Sequence, residues 1–466
     1  MDCLGCGNRP PAAFARQIKK TLLCPRATGI CNQRRRAKNK KERTRLNREG
    51  VAFRLERRAI VVALAGQVWS YRCNDFNKGC SLRRPGPAYL DFMASTPVDP
   101  SVIDAMTDAM SHDWGNPHSD HAHGLQASKI VERSREALAA LLGAGEDEIL
   151  FTSGATEANN LAIKGVMSSA ERRGNHLLVS SIEHKCVLEA AGSLMKSGIE
   201  VTEIRPGSDG RIRAEAIAQA LRPDTALVSV MHANNETGVI QPVREIAEIC
   251  HRQGVLFHTD AAQTVGKIDV DFTYIGADLL SFSGHKFYGP KGIGGLAVSR
   301  AARLRLVPQL DGGGQQPLGR SGTVPVPLCA GLAAAARLYE RHGQSARTHI
   351  QSLQRLFEDR VTRKGCPFTI NPHAERIPGC TSLRAEGVNA EDILLHARGE
   401  LSASTGSACN SGSIEPSYVL LAQGLSFDEA SSSVRIGIGR TTSEADIDRA
   451  VTALLAAYEK AYRAAA

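Results

Sequence analysis

From Tyr89 onward the chain alternates short apolar runs with longer amphipathic stretches. Apolar runs at 149–152, 177–180, 201–204, 226–230, 255–259, 279–282 and 295–298 predict strands, and most of the intervals between them repeat apolar residues at helical spacing. Strands that alternate with helices in this way predict an α/β domain around a mainly parallel sheet of about seven strands. One helix is well marked, with Ile130, Val131, Ala137, Leu138, Leu141 and Leu142 on one face and Gly143 closing it. After about residue 345 the strand runs thin out and helical patterns at 350–361, 390–398 and 444–464 take over. The expected organisation is a large domain at 87–345, whose first segment packs on a smaller α+β domain at 346–466. Residues 1–86 show no sustained period and are expected to form a poorly ordered extension, with a short apolar run at 59–65 that suits a packed hairpin.

Charge changes this picture in one place. Residues 1–86 carry 21 Lys+Arg against 5 Asp+Glu, whereas residues 87–466 carry 36 against 43, so the overall net charge of +9 belongs to the front alone. The block at 34–48, RRRAKNKKERTRLNR, is either a solvated tail or an electrostatic contact for nucleic acid; it lacks interleaved aromatics, which favours the tail. No apolar run approaches the roughly 18 residues that cross a bilayer, so no membrane contact is expected. Twelve cysteines without a secretory signal fit a reducing compartment, and the cytoplasm is expected. An Arg-rich, acid-poor front is also the composition of an organellar targeting segment. The N-terminal pairs Cys3 and Cys6, Cys24 and Cys31, and Cys73 and Cys80 do not repeat the Cys-x2-Cys spacing of a zinc site, and no metal is expected.

Three places along the core carry chemistry. Ser283-Gly284-His285-Lys286 follows a strand run directly. Burial of a lysine there would lower its pKa and free its amine for a Schiff base, although the tetrapeptide alone fits a surface lysine in a glycine-rich loop equally well. Asp260 stands where another strand run ends, with Gln263 three residues on; such a carboxylate can pair with a pyridine nitrogen or simply cap a helix. Thr152-Ser153-Gly154-Ala155-Thr156 turns from a strand run into the helical stretch 157–164, presenting backbone N–H groups and hydroxyls to an anion without the lysine of a nucleotide-binding loop.

These pieces, in this order, resemble the class-V aminotransferases and more closely the cysteine desulfurases of the NifS/IscS type. The marks are Tyr89-Leu90-Asp91 with Thr96-Pro97-Val98, Gly115-Asn116-Pro117, FTSGATEANNLAIKG at 151–165, Glu183-His184-Lys185, Asn234-Asn235-Glu236-Thr237-Gly238, HTDAAQTVGK at 258–267, SFSGHKFYGPKG at 281–292 and Arg320-Ser321-Gly322-Thr323. The resemblance implies the fold of the aspartate-aminotransferase-like pyridoxal 5'-phosphate (PLP) enzymes, fold type I, and the cofactor PLP. It implies that Lys286 anchors the cofactor, His184 stacks on its ring and assists proton transfer, and Asp260 pairs the ring nitrogen. Asn235 and Gln263 would face the 3-oxygen side, while Thr156, Ser283 and His285 would hold the phosphate with Ala155 beside them in the cradle. Thr323 would reach the phosphate in a neighbouring subunit, making the protein a homodimer, and Arg435 would bind the carboxylate of L-cysteine next to Asn235.

Cys409 decides which reaction the resemblance implies. It sits in Ser404-Thr405-Gly406-Ser407-Ala408-Cys409-Asn410-Ser411-Gly412-Ser413, a stretch nearly free of bulky apolar side chains that reads as an exposed loop. In the resemblance it takes sulfur from cysteine as a persulfide, leaves alanine, and hands the sulfur to an acceptor protein serving iron–sulfur clusters, tRNA thiolation or DNA phosphorothioation. A selenocysteine lyase or a plain class-V aminotransferase would share the cofactor residues, and the aminotransferase has no use for Cys409. Gln315-Gln316-Pro317-Leu318-Gly319 after the glycines at 312–314 departs from the family's pattern, which puts the local loop shape in question and not the cofactor residues.

Overall fold

The computed structural model describes residues 86–406 and 415–465, together with the backbones of five short strands between Arg45 and Arg83. The chain divides into two compact units, Met1–Gly86 and Pro87–Ala466. In the first, strands Arg45–Leu46, Ala52–Glu56, Ala59–Leu64, Gln67–Arg72 and Ser81–Arg83 pair in chain order, each antiparallel to the next. The sequence reading expects little order here apart from a packed hairpin at the apolar run 59–65, which the strand Ala59–Leu64 occupies. The middle strands of this sheet are two residues apart in sequence, the spacing of tight hairpins, so local pairing suffices without a sustained apolar period. Of the basic block at 34–48, only Arg45–Leu46 belongs to a described element.

The second unit is built on seven strands: β1 (Ile149–Thr152), β2 (His176–Ser180), β3 (Glu200–Ile204), β4 (Thr225–Ser229), β5 (Leu256–Asp260), β6 (Leu279–Ser283) and β7 (Gly294–Val298). Their order across the sheet is β1-β7-β6-β5-β4-β2-β3. Only β7 runs against its neighbours, β6 and β1. Helices cover both faces, which is why the strands read as continuous apolar runs. Leu150, Leu177, Leu227 and Leu279 pack with helices α3 (Ala155–Met167) and α4 (Lys185–Met195). Their chain neighbours Phe151, Leu178, Val228 and Leu280 pack on the other face, with α1 (Pro100–His112), α2 (Ala122–Leu142) and the first half of α5 (Val326–Val361). Gly143 ends α2 at a φ of 60°, the left-handed conformation its sequence position predicts.

The helical pattern at 350–361 proves to be the end of α5, which runs unbroken for 36 residues through position 345. Beyond it, β8 (Phe368–Ile370), β9 (Cys380–Ala385) and β10 (Ser433–Gly437) form an antiparallel sheet with its own core, where Phe357, Leu383 and Ile436 meet Leu454 of α6 (Glu444–Ala465). Ala88 and Leu90 join that core, and the strand Ala88–Tyr89 lies parallel to Leu401–Ser402. The unexpected Gln316 has a structural use. Its side-chain amide bonds both the N–H (3.0 Å) and the C=O (2.9 Å) of Phe151, sealing one residue of the open edge of β1. Among the described residues no helix is long and apolar enough to cross a membrane.

Candidate active site

The parallel strands end on one rim, and a cavity of about 490 Å³ opens there. At the end of β1 the chain turns through Gly154, whose φ of 149° suits glycine, and Thr152 donates its hydroxyl to the Gly154 carbonyl at 2.9 Å. Helix α3 starts at once, and no side chain caps it, so the positive end of the helix, with Ala155 and Thr156, faces the cavity. Glu157 in that first turn is already engaged. Burial alone would raise its pKa, but the Arg320 guanidinium, at 2.8 and 3.1 Å, and the Ser153 amide hold its carboxyl below the usual range.

Asp260 closes β5 and is fixed on both oxygens: Asn159 of α3 donates to Oδ2 at 2.7 Å, and the Ala262 amide donates to Oδ1 at 2.9 Å. After β6, Gly284–Lys286 forms a single 3-10 turn. A side chain at Gly284 would come within 2.9 Å of Leu332 and 3.0 Å of the Pro290 carbonyl, so the turn closes only on glycine. Lys286 donates to the carbonyls of Met93 (2.8 Å) and Ala94 (3.0 Å), and Ser283 faces the same cavity. The preceding His285 is held at its carbonyl by the amide (2.9 Å) and hydroxyl (3.0 Å) of Thr96. Burial, with Lys286, Lys291 and Lys267 nearby, pushes the His285 imidazole down to about 4, so it stays neutral at physiological pH.

Two further rims complete the wall. His184 caps α4, and its Nδ1 accepts from the Cys186 amide at 3.2 Å, which leaves the proton of the neutral ring on Nε2. Arg435 on β10 is buried; it donates to the carbonyls of Asn235 (2.9 Å) and Gly406 (3.1 Å) and pairs with Asp91 at 2.9 Å. The Nε of Arg435 and the Oδ1 of Asn235 are buried and have no partner among the described residues.

Beside His184, Glu183 is wholly buried. Its Oε1 accepts from Ser180 and from the Met231 amide (2.7 Å), while Oε2 has no partner among the described residues. Burial, with the charge of Asp260 adding to it, pushes this carboxyl up to about 8 from its ordinary 4.5. The folded chain therefore binds a proton here that the unfolded chain releases, and stability falls as pH rises from about 4.5 to about 8. Glu183→Gln should abolish that slope: the variant should match wild type at pH 4.5 and exceed it at pH 8 by a few kcal/mol in denaturant titrations. A wild-type profile equally flat across the window would remove the proton from Glu183.

Ten of the twelve residues singled out from sequence line this cavity: Ala155, Thr156, His184, Asn235, Asp260, Gln263, Ser283, His285, Lys286 and Arg435. Thr323 is exposed and stands outside it, and Cys409 lies outside the described residues. Sequence reasoning assigned no role to Asp91, Asn159, Glu183 and Glu236, although each sits inside a quoted motif. Asp91, between Leu90 and Phe92, offered the signal of a charge in an apolar run, whereas Glu236, among Asn234, Asn235 and Thr237, offered none. Glu236 is buried, accepts from Ser417, and is pushed upward by that burial. Among the described residues no cluster of His, Cys, Asp and Glu could hold a metal ion.

The family described as "Aminotransferase class-V" matches residues 88–450. A relative described as mitochondrial cysteine desulfurase, from Eremothecium gossypii, is 46% identical over 371 residues, 79% of this chain and 75% of the relative. Cysteine desulfurase IscS from Anaeromyxobacter dehalogenans is 44% identical over 367 residues, 78% of this chain and 91% of the relative. A solved structure described as SspA in complex with cysteine superposes with a TM-score of 0.67 at 38% identity, covering 76% of this chain and 99% of that one. With the sheet order, the strand-end lysine and carboxylate, and similarity over this length, the chain belongs to the class-V aminotransferase family, among its cysteine desulfurases of the NifS/IscS type.

Proposed function

We propose that this protein binds PLP and converts L-cysteine to L-alanine, passing the sulfur to Cys409 as a persulfide. The observation that carries this reading is the meeting of a lysine, a carboxylate and a guanidinium, Lys286, Asp260 and Arg435, on one cavity of about 490 Å³. The donor set fits the cofactor. An uncapped helix start suits its phosphate, a doubly fixed carboxylate suits its ring nitrogen, and the unpartnered Oδ1 of Asn235 leaves a polar atom for a ligand. In this reading Ala155, Thr156, Ser283 and His285 hold the phosphate, with His285 neutral; Asn235 and Gln263 face the 3-oxygen; and Lys286 is the covalent anchor. Bound PLP supplies an electron sink for the carbon that carries the substrate amine.

The chain's own groups do the rest. Arg435 offers its unpartnered Nε to the substrate carboxylate, and His184 moves a proton at its Nε2. The Cys409 thiolate attacks the substrate sulfur; an S–S bond forms, the C–S bond breaks with its electron pair left on carbon, and a proton on that carbon completes alanine. Gly406, three positions before Cys409, lines the cavity. A sulfur-acceptor protein then takes the outer sulfur. Equal amounts of alanine and protein-bound persulfide, from protein given PLP and L-cysteine, are the expected result. Release of a 2-oxo acid in place of alanine would assign the chain to transamination.

The active species in this reading is a homodimer, as the resemblance implies, and the exposed Thr323 is free of this chain's own cavity and available to a neighbouring subunit. Mixing inactive Lys286→Ala and Thr323→Ala chains should restore a fraction of active sites. No recovery, or a fully active monomer in sedimentation, would count against the shared site.

A further inference from the structure

Behind Lys286 lies a second buried amine that the reaction as described does not use. Lys267 donates to Oε1 of Gln263 at 2.6 Å, and Nε2 of the same amide donates to the Met93 carbonyl at 3.0 Å. That carbonyl also accepts from Lys286 at 2.8 Å. The Met93 carbonyl can only accept and so draws Nε2 of Gln263 toward itself, and Lys267, which as an ammonium can only donate, favours the same orientation from the other side. One N–H of Gln263 remains, and Gln263 lines the active-site cavity.

The backbone builds this arrangement in. At Gly266 the φ is 75°, and a side chain there would come within 2.3 Å of Cβ of Phe287, the residue after Lys286. The two lysines also border one small void of about 30 Å³, walled further by Tyr288, Arg347 and Arg440. The ionisable groups that act on Lys267 are Lys286, the Cys380 thiol and Arg435. Burial, with the Lys286 charge adding, brings the amine down to about 7.

We propose that Lys267 is a positioning residue for the cofactor: by fixing the Gln263 amide it ensures that only a donor faces the cavity, so this wall accepts the cofactor's 3-oxygen in its deprotonated form. The inference rests on the reading of the cavity as a PLP site.

Lys267→Met removes the ammonium and leaves the amide held by the Met93 carbonyl without its second anchor. A weaker hold on the donor to the 3-oxygen and loss of a neighbouring cation both favour a proton on the bond between Lys286 and the cofactor, so the pH midpoint of the loaded protein's visible band should rise by about one unit. The cofactor should also leave on the order of tenfold faster during dialysis. Gln263→Leu should raise the midpoint too, and the double variant should release cofactor no faster than the single ones, because Lys267 acts through Gln263. Lys267→Gln, which keeps a polar group but no longer dictates which end of Gln263 it meets, serves if the Met variant does not fold. An unmoved midpoint and release rate, or full additivity of the two losses, would overturn the proposal. Failure of wild-type protein to take up PLP would instead overturn the parent reading.

Discussion

Cys409→Ser should still take up PLP and bind L-cysteine, yet alanine formation should fall by at least about a thousandfold, some 4 kcal/mol of transition-state stabilisation. Serine keeps the size and polarity of its surroundings, Ser407-Ala408-Cys409-Asn410-Ser411, so the loss reports the sulfur nucleophile alone. Its hydroxyl cannot hold a second sulfur. In wild type, brief exposure to cysteine should add one sulfur atom to the peptide containing Cys409, visible by mass spectrometry without reductant and lost with a thiol. The competing thiols are distinguishable by place. Cys250 and Cys329 are buried, and burial pushes each thiol up to about 12, which keeps them protonated and unreactive. Cys186 lines the cavity beside His184, with its Sγ 2.9 Å from Nδ1, and is the one to watch. Extra sulfur on Cys186, with normal turnover in Cys409→Ser, would move the acceptor role to that residue.

Lys286→Ala should lose turnover by roughly ten-thousandfold or more, since in the proposed function it removes the covalent anchor and the amine that exchanges with substrate. Borohydride should fix the cofactor to wild type on the peptide containing Lys286 and should fix none to the variant. Stability should also respond, because the carbonyls of Met93 and Ala94 lose the ammonium they share. A buried carbonyl left unpaired costs about 1–3 kcal/mol, although Met93 keeps its bond from Gln263. Near-normal activity in this variant, or borohydride trapping on a different lysine such as Lys267, would remove Lys286 from its role.

The strand ends were legible from sequence because their signals are local. The seven apolar runs match the observed strands to within one residue at each end, since most strands are buried along their whole length and read as largely apolar. His258, Thr259 and Ser281 interrupt the pattern, and the edge strand β3 is partly exposed. Lys286, Asp260 and the turn at Gly154 follow such runs directly, so the residue type and its place at a strand end were visible together. The resemblance added His184, Asn235 and Arg435, whose spacing alone says nothing. Where the pattern misled, the cause was also physical. A helix as long as α5 changes its buried partners midway, from Leu332 against the large sheet to Phe357 against the small one, so only its end, 350–361, was read as a helix and a boundary was placed at about 345.

The sequence by itself determined the α/β class, the places of the strands along the chain and the kinds of group available for chemistry, because these depend on residue type and near-neighbour spacing. Only the tertiary structure decided how those groups are poised. Asp91 meets Arg435 from 344 positions away, and Asn159 reaches Asp260 across 101, pairings that no local period encodes. The proton on Glu183 comes from burial and the charge of Asp260 on another strand, and the neutral ring of His285 comes from burial with Lys286, Lys291 and Lys267 nearby. The orientation of Gln263 comes from a donor and an acceptor on opposite sides of its amide. Protonation and hydrogen-bond direction are properties of an environment, and that environment exists only once strands distant in sequence have closed around the cavity.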